Sequence, residues 1–386
     1  MRLHALLASW CVLRAAIAQT TTDDTDPPAP TPTGVDSFAN VTVYQPDDSA
    51  TQLTYARTEN LPNNTVLAAW NDPSQAADSI AVFRSTNSGF SWYSFGNATS
   101  SEPGRKLLQP SLLYVNQSFG GDSGVVLLAV NAVDDKSTNI EVYASYDQGE
   151  SFELASEVVS AGPVGANSST AVSNPFLLLQ NNAVTMYYST QQDPQHSQKI
   201  VQQTTADDFD SWDTAIDVVA SQFHDDRPGM STVAKLPNGQ YVIAFEYGLL
   251  NSTTKAYSYP VYYKISPSAE NAGTERTRQL VVDTGAQPYG APFVTWTPLG
   301  GVNGTIVLSD SRSNSVFINQ ALGEGTWREV KTTAGRASAR EVRVPNNDDT
   351  KLRFAGGAEY GQQSPSQILV TMMDFQKALA ALEPRE

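Results

Sequence analysis

One cysteine, Cys11, and three histidines stand among 386 residues, and each scarcity closes off a class of chemistry. Without cysteine pairs no disulfide framework can hold the chain, so a buried core has to, and a chain of this length can supply one. His4, His196 and His224 sit in no Cys/His spacing, so neither a metal site nor a cofactor is expected. Basic residues are also few: 24 Lys and Arg against 40 Asp and Glu give a formal charge of −16, which disfavours nucleic acid and anionic membrane. No Gly-rich phosphate loop or nucleophile elbow is present. Beyond the N terminus no apolar run approaches a membrane span. Helical periodicity is confined to Phe375 to Leu382, where a short helix is expected.

Residues 1–18 have the pattern of a secretory signal, with Arg2, a mostly apolar run from Ala5 to Ile17 interrupted by Arg14, and Ala16-Ile-Ala18 as a small-x-small cleavage site. Cleavage there removes Cys11 and leaves 22 basic against 40 acidic residues, a charge of −18. Residues 19–37 are rich in Thr, Asp and Pro, cannot bury a core and read as a linker without fold. The folded domain is therefore expected over 38–386. Asn-x-Ser/Thr acceptors begin at Asn40, Asn63, Asn97, Asn116, Asn167, Asn251 and Asn303, consistent with a secreted glycoprotein.

What the chain has in abundance is repetition. Ser85-Thr-Asn-Ser-Gly-Phe-Ser-Trp92, Ser145-Tyr-Asp-Gln-Gly-Glu-Ser-Phe152 and Thr205-Ala-Asp-Asp-Phe-Asp-Ser-Trp212 begin sixty residues apart, the spacing of stacked β units. In each, Asn87, Asp147 or Asp207 can bind the turn backbone, a Gly position follows, and an aromatic closes the turn. Between them run six apolar hairpins: Leu53 to Trp70, Ser111 to Asn131, Pro175 to Ser189, Met230 to Tyr247, Pro292 to Ser309 and Val342 to Gly356. Third strands follow at Ser79 to Ser85, Ile140 to Ser145, Lys199 to Thr205, Tyr259 to Ser266 and Ser315 to Asn319. Six four-stranded units predict an all-β fold, a six-bladed β-propeller. Its hairpin turns and aromatic turns should share one face. Function then belongs to the other face, where chains enter first strands and leave second strands.

At that mouth Glu246 ends the apolar run Tyr241 to Phe245, where partial desolvation suits a carboxylate to act as an acid. It could equally be a rim carboxylate paired with Arg227 or Lys264. Arg227, in Phe223-His-Asp-Asp-Arg-Pro-Gly-Met230, could orient substrate or fix Glu246 or Asp226. Tyr187, Tyr188, Tyr247 and Trp70 end inner strands, where aromatics either stack on sugar or fill the blade taper. An acidic, polar-mouthed propeller of this kind points to carbohydrate.

The aromatic turns are similar to the Asp-box (BNR) repeats of sialidase-like propellers. A closer resemblance, over about Val41 to Met373, is to the fungal exo-α-1,5-arabinanases of glycoside hydrolase family ninety-three. It is carried by Asn174-Pro-Phe-Leu-Leu, by the stretch from Tyr187 to Lys199, and by Arg227-Pro-Gly-Met-Ser-Thr-Val-Ala-Lys-Leu-Pro-Asn-Gly239. Tyr259-Pro-Val-Tyr-Tyr-Lys-Ile-Ser266 and Trp296 to Thr305 complete it. The resemblance implies a six-bladed propeller, retaining hydrolysis of linear arabinan with release of arabinobiose, and two catalytic glutamates. One corresponds to Glu246 in Glu-Tyr-Gly. The other belongs to a Trp-Glu-Pro-Phe-Leu segment that here reads Ser173-Asn174-Pro175-Phe176-Leu177, and an amide can be neither nucleophile nor charge stabiliser. Nearby, Ser-Asp-Gln-Arg-Asp-Pro reads Ser189-Thr-Gln-Gln-Asp-Pro194.

The candidate substrate-binding residues are Arg57, Trp70, Asp72, Tyr188, Gln192, Asp193, His196, Asp226, Arg227, Tyr247 and Tyr289. Three functions are open. A working glycosidase needs a second carboxylate, with Asp193, Asp226 or Asp72 as substitutes. A binding propeller would grip arabinan or related plant cell-wall polysaccharide through neutral Asn174. A sialidase-like enzyme would need three of Arg57, Arg227, Arg312 and Arg340 to converge. A monomer without metal is expected in each case.

Overall fold

The computed structural model describes residues 37–382 apart from 49–50, 75–77, 118–121, 166–169, 207–208, 269 and 360–366. The signal pattern, the linker up to residue 36, Asn167 and Asp207 lie outside the described residues.

Six antiparallel sheets form the blades of a β-propeller. Blade one comprises Thr54–Asn60, Val66–Asn71, Ser79–Ser85 and Tyr93–Thr99. Blade two comprises Lys106–Val115, Val125–Val133, Thr138–Ser145 and Glu153–Ala161. Blade three is Val172–Gln180, Ala183–Thr190, Lys199–Thr205 and Ile216–Val219. Blade four is Arg227–Lys235, Tyr241–Leu250, Val261–Ser266 and Arg278–Gln279, with an added strand, Tyr257–Ser258, paired to Leu249 and Leu250. Blade five is Phe293–Thr297, Thr305–Ser309, Ser315–Asn319 and Arg328–Lys331. Second strands such as Val125–Val133 are buried on both faces between neighbouring blades, which is why they read as unbroken apolar runs. The first hairpin turns at Asn63 and Asn64, both at positive φ (58° and 61°), as a two-residue turn matched to strand twist requires.

Blade six shows how the ring closes. Its inner strands, Glu341–Arg343, Lys351–Gly356 and Ile368–Asp374, take the N-terminal strand Phe38–Tyr44 as their outer neighbour, which joins the two ends of the domain. A buried polar network completes the seam with blade one. Glu341 accepts from the Thr58 amide (2.7 Å) and Arg343 (2.9 Å), Arg343 also pairs with Glu59 (2.8 Å), and Arg353 donates to Asn60 and Thr58. The short helix Phe375–Ala380 follows, its first turn capped by Asp374 accepting from the Lys377 amide at 3.0 Å.

The repeated turns are built by side chain to backbone bonds. Ser145 donates to Asp147 (2.7 Å) and accepts from the Gly149 amide (2.7 Å), while Asp147 takes the amides of Glu150 and Ser151 at 3.0 Å. Burial would raise the Asp147 carboxyl, but these bonds outweigh it and hold it at about 2. Asn87 plays the same part toward Ser85 and Ser91. In the third copy Phe209, standing where Gly does in the others, adopts φ 69°. The Ser88 amide reaches the Asn64 carbonyl (2.9 Å), so aromatic turns and hairpin turns do share one face.

Toward the axis each blade carries one residue in the left-handed region: Tyr55, Gln109, Asn174, Met230, Ala291 and Ala339, with φ between 37° and 60°. In blades one to four this residue sits in a β-bulge of the first strand. Together the six residues make a ring. Tyr55, Met230, Ala291 and Ala339 pack together as its apolar part, and Gln109 and Asn174 make the polar arc.

Candidate active site

Off this ring, between blades four, five and six, lies a cavity of about 690 Å³. Blade four supplies Met230, Glu246, Tyr257 and Tyr259. Tyr289, Gly290 and Ala291 come from the crossover into blade five, whose second strand leads out to Ser311 and Arg312. Arg336, Ser338 and Glu359 belong to blade six.

Glu246 is placed by strand pairing, opposite Gly229 on one side and Val261 on the other. Its Oε2 accepts the Ala291 amide at 2.8 Å. That amide points at it because Gly290 and Ala291 both turn through positive φ (71° and 37°). A Cβ on Gly290 would meet Ser311 Oγ at 2.6 Å, so glycine is required there. Desolvation raises the Glu246 pKa, and the Ala291 amide only partly offsets it. Neither expected counter-ion reaches it. Arg227 donates to Gln198 Oε1 (3.0 Å), and Lys264 lies buried between blades, donating to the carbonyls of Val218 (2.7 Å) and Ala272 (3.0 Å). Among the described residues no ion pair involves Glu246.

Aromatic rings wall the cavity. Tyr257 and Tyr259 stack at 6.1 Å, Tyr259 meets Tyr289 edge-on at 6.2 Å, and the Arg312 guanidinium lies 3.4 Å over the Tyr289 ring. Tyrosine faces with hydroxyls beside them suit the mixed apolar and polar surface of a sugar. Behind Met230, the Asn174 amide donates to Met230 Sδ at 2.8 Å, and its backbone N–H donates to Gln109 Oε1 at 2.8 Å. Tyr55 also touches this group: its phenol is pushed up by burial, with Arg57 and a hydrogen bond to Asn174 acting against the rise and Glu246 adding to it. Asn174 and Glu246, on adjoining blades, thus both act on the Tyr55 phenol.

The other residues singled out from sequence scatter. Tyr289 lines the cavity. Arg57 is buried, donating to the carbonyls of Ala56 and Ala339 (2.8 Å each) with its guanidinium 4.3 Å over the Tyr55 ring, so it fixes the axial floor. Trp70 and Tyr188 are core residues. Trp70 packs on Tyr44 and Phe83, and Tyr188 donates to Gln203 (2.6 Å), its phenol raised to about 12 by burial. Asp72 caps the Ser74 amide (2.9 Å), and Gln192 donates to the Ser160 carbonyl (3.3 Å). Asp193 pairs with Lys199 (2.9 Å), with His196 at 4.0 Å. Asp226 accepts from Ser221 (2.6 Å) and, with Tyr247, lines a separate outer hollow of about 530 Å³. Of the four arginines proposed to converge, only Arg312 lines the cavity. Arg340 is buried against the Ser315 and Gly335 carbonyls.

No protein-family model and no curated protein matches the sequence. Solved structures do. The Penicillium chrysogenum α-L-arabinanase, determined with arabinobiose, is 34% identical over 89% of this chain and 99% of its own, with a TM-score of 0.83. The GH93 α-L-arabinofuranosidase of Fusarium graminearum, also determined with arabinobiose, is 31% identical over the same shares with a TM-score of 0.84. The chain belongs to glycoside hydrolase family 93. The NanB sialidase of Streptococcus pneumoniae, 9% identical over 87% of this chain and 70% of its own at a TM-score of 0.59, shares the fold alone.

As a family 93 chain it has a site larger than its sequence disclosed. Tyr55, Gln109, Met230, Tyr257, Tyr259, Ser311, Arg336 and Glu359 were not singled out as site residues. One local signal was available for the ring: Gln109, Asn174 and Ala291 each precede a proline, which disfavours the right-handed helical conformation.

Proposed function

We propose that this family 93 member is a secreted arabinan-directed glycoside hydrolase whose cavity takes an α-1,5-linked arabinan chain end, with Glu246 as the acid that protonates the leaving oxygen. The observation that carries the reading is Glu246 itself, a carboxyl held toward its protonated form by burial, with no ion pair among the described residues, beside the tyrosine wall. Such a group keeps its proton to higher pH than an ordinary carboxylate and can give it to a leaving oxygen. The arabinobiose in both related structures supports a two-sugar chain end as the recognised unit. Secretion is supported by the N-terminal pattern and by exposed acceptor asparagines at Asn40, Asn63, Asn97, Asn116 and Asn251.

A second reading, a propeller that binds arabinan without cutting it, is favoured by Asn174. Its amide stands where the resemblance places a glutamate and is engaged with Met230. Incubation with linear arabino-oligosaccharides separates the two. Release of arabinobiose that disappears in Glu246→Gln supports the hydrolase. Calorimetric binding with no product over days establishes the binding propeller instead.

A further inference from the structure

Glu246 and Tyr247 are neighbours on one strand, Tyr241–Leu250, and successive residues of a strand face opposite sides of its sheet. Glu246 lines the cavity, whereas Tyr247 lines the separate outer hollow of about 530 Å³. Tyr262, paired with Phe245 in the ladder, joins Tyr247 on that outer side, with ring centroids 5.0 Å apart and planes inclined at 51°. A third ring, Phe223, comes from the crossover into blade four and is 62% exposed, so its face is open to a ligand. Polar groups are fixed beside the rings. Ser221 donates to Asp226 at 2.6 Å, both are buried, and the Tyr247 phenol bonds to the same pair. One hydrogen bond spans the partition between hollow and cavity: Tyr257, a cavity residue, donates its hydroxyl to the carbonyl of Asp225, a hollow residue, at 2.9 Å.

We propose that the outer hollow is a second carbohydrate-binding site, which holds a neutral arabinan strand beside the cavity without cleaving it. The choice of arabinan rests on reading the cavity as arabinan-directed, whereas the site itself rests on the residues of the hollow. Aromatic faces with a few fixed hydroxyl and carboxylate groups match a sugar, which offers C–H faces and a hydroxyl edge. A partner that filled the hollow with apolar groups alone would cut the Asp226 carboxylate off from water, at a cost no apolar contact restores. Charge narrows the class further. Asp225 and Asp226 outnumber Lys255 among the lining residues of a chain with formal charge −16, so a polyuronate is repelled. A polymer gripped here keeps its ends at high local concentration next to the cavity, and a short substrate gains nothing from that.

The test separates polymer from oligomer. Phe223→Ala removes an exposed ring, and Tyr262→Ala, checked for its melting temperature, removes a half-buried one. In affinity electrophoresis through linear arabinan both variants should be retarded less than the wild type, with the dissociation constant raised roughly three- to tenfold. KM on long linear arabinan should rise by the same factor, while kcat on the polymer and both constants on arabinotriose stay at wild-type values. Folded variants with wild-type retardation overturn the second site and leave the hydrolase reading intact. An equal loss on arabinotriose also overturns it, because hollow and cavity would then act as one site. So does wild-type retardation by polygalacturonate as strong as by arabinan. Weakened retardation of Phe223→Ala with no cleavage of arabinan by the wild type supports the hollow and removes the hydrolase reading.

Discussion

Replacing Glu246 by Gln should move activity and stability in opposite directions. The amide keeps the shape of the carboxyl, and its Oε1 can still accept the Ala291 N–H now made at 2.8 Å. It has no proton to give, so kcat should fall by about 10²–10⁴, or roughly 3–5 kcal/mol of barrier. Stability follows from linkage. Burial raises the folded-state pKa of Glu246 above its unfolded value. Below the unfolded value both states are protonated and no penalty exists. As pH rises through the folded value the native protein must either hold a proton or bury a charge, and stability is lost. Each unit of upward displacement is worth about 1.4 kcal/mol once both states have passed their pKa values, and in a domain this large 1 kcal/mol moves the melting point by roughly 2 °C. Differential scanning calorimetry at pH 4 and pH 8 reads this directly. The variant should match the wild type at the lower pH and melt higher at the other, and the alkaline limb of wild-type activity should fall where the gap between the two melting curves stops widening. A variant that melts lower than wild type at pH 8, or one that keeps kcat within tenfold, refutes the account of Glu246 as a buried, protonated acid.

Asn174→Glu should lose about 1–2 kcal/mol of stability in urea denaturation, because a long side chain replaces Asn at φ 58° and the bond to Met230 Sδ goes. The restored carboxylate at the position where the resemblance places a catalytic glutamate should raise arabinobiose release from linear arabino-oligosaccharides above that of the wild type, read by chromatography of the products. Glu341→Ala leaves Arg343 and Arg353 short of an anion at the seam between blades six and one, and should cost roughly 3–5 kcal/mol by chemical denaturation. A loss below 1 kcal/mol would mean that the seam does not depend on the network. Asp147→Ala should cost at most ~1 kcal/mol, since the turn is exposed and screened. Because the Asp147 pKa is depressed to about 2, its contribution is present above pH 4 and should fade as pH falls toward 2.

The blades could be read from the chain because their cause is local. A strand buried between two others needs an apolar run, and a tight hairpin needs Asn or Gly at its turn, so the second and third strands show wherever those coincide. Two features had no such local cause. The strand Phe38–Tyr44 owes its place to Ile368–Asp374, more than three hundred residues away, and nothing in its seven residues names that partner. The axial ring rests on left-handed backbone also at Tyr55, Met230 and Ala339, residue types that do not signal positive φ and precede no proline. The same division runs through the site. Glu246 stood out as a charge ending an apolar run, although its strand goes on to Leu250 and places it mid-strand rather than at an exit. Trp70 and Tyr188 end strands too, but strand-end position does not reveal whether a side chain turns toward the axis or between blades, and both turn between blades. Glu359 lies past Gly356-Gly357-Ala358, where periodicity has stopped and nothing in the sequence says which way the chain leads. A substitution at one strand-end therefore cannot be judged by its own blade alone. The loss of a carboxylate at Asn174 in blade three has to be weighed against what blade six presents to the same cavity, and only closure of the ring brings the two together.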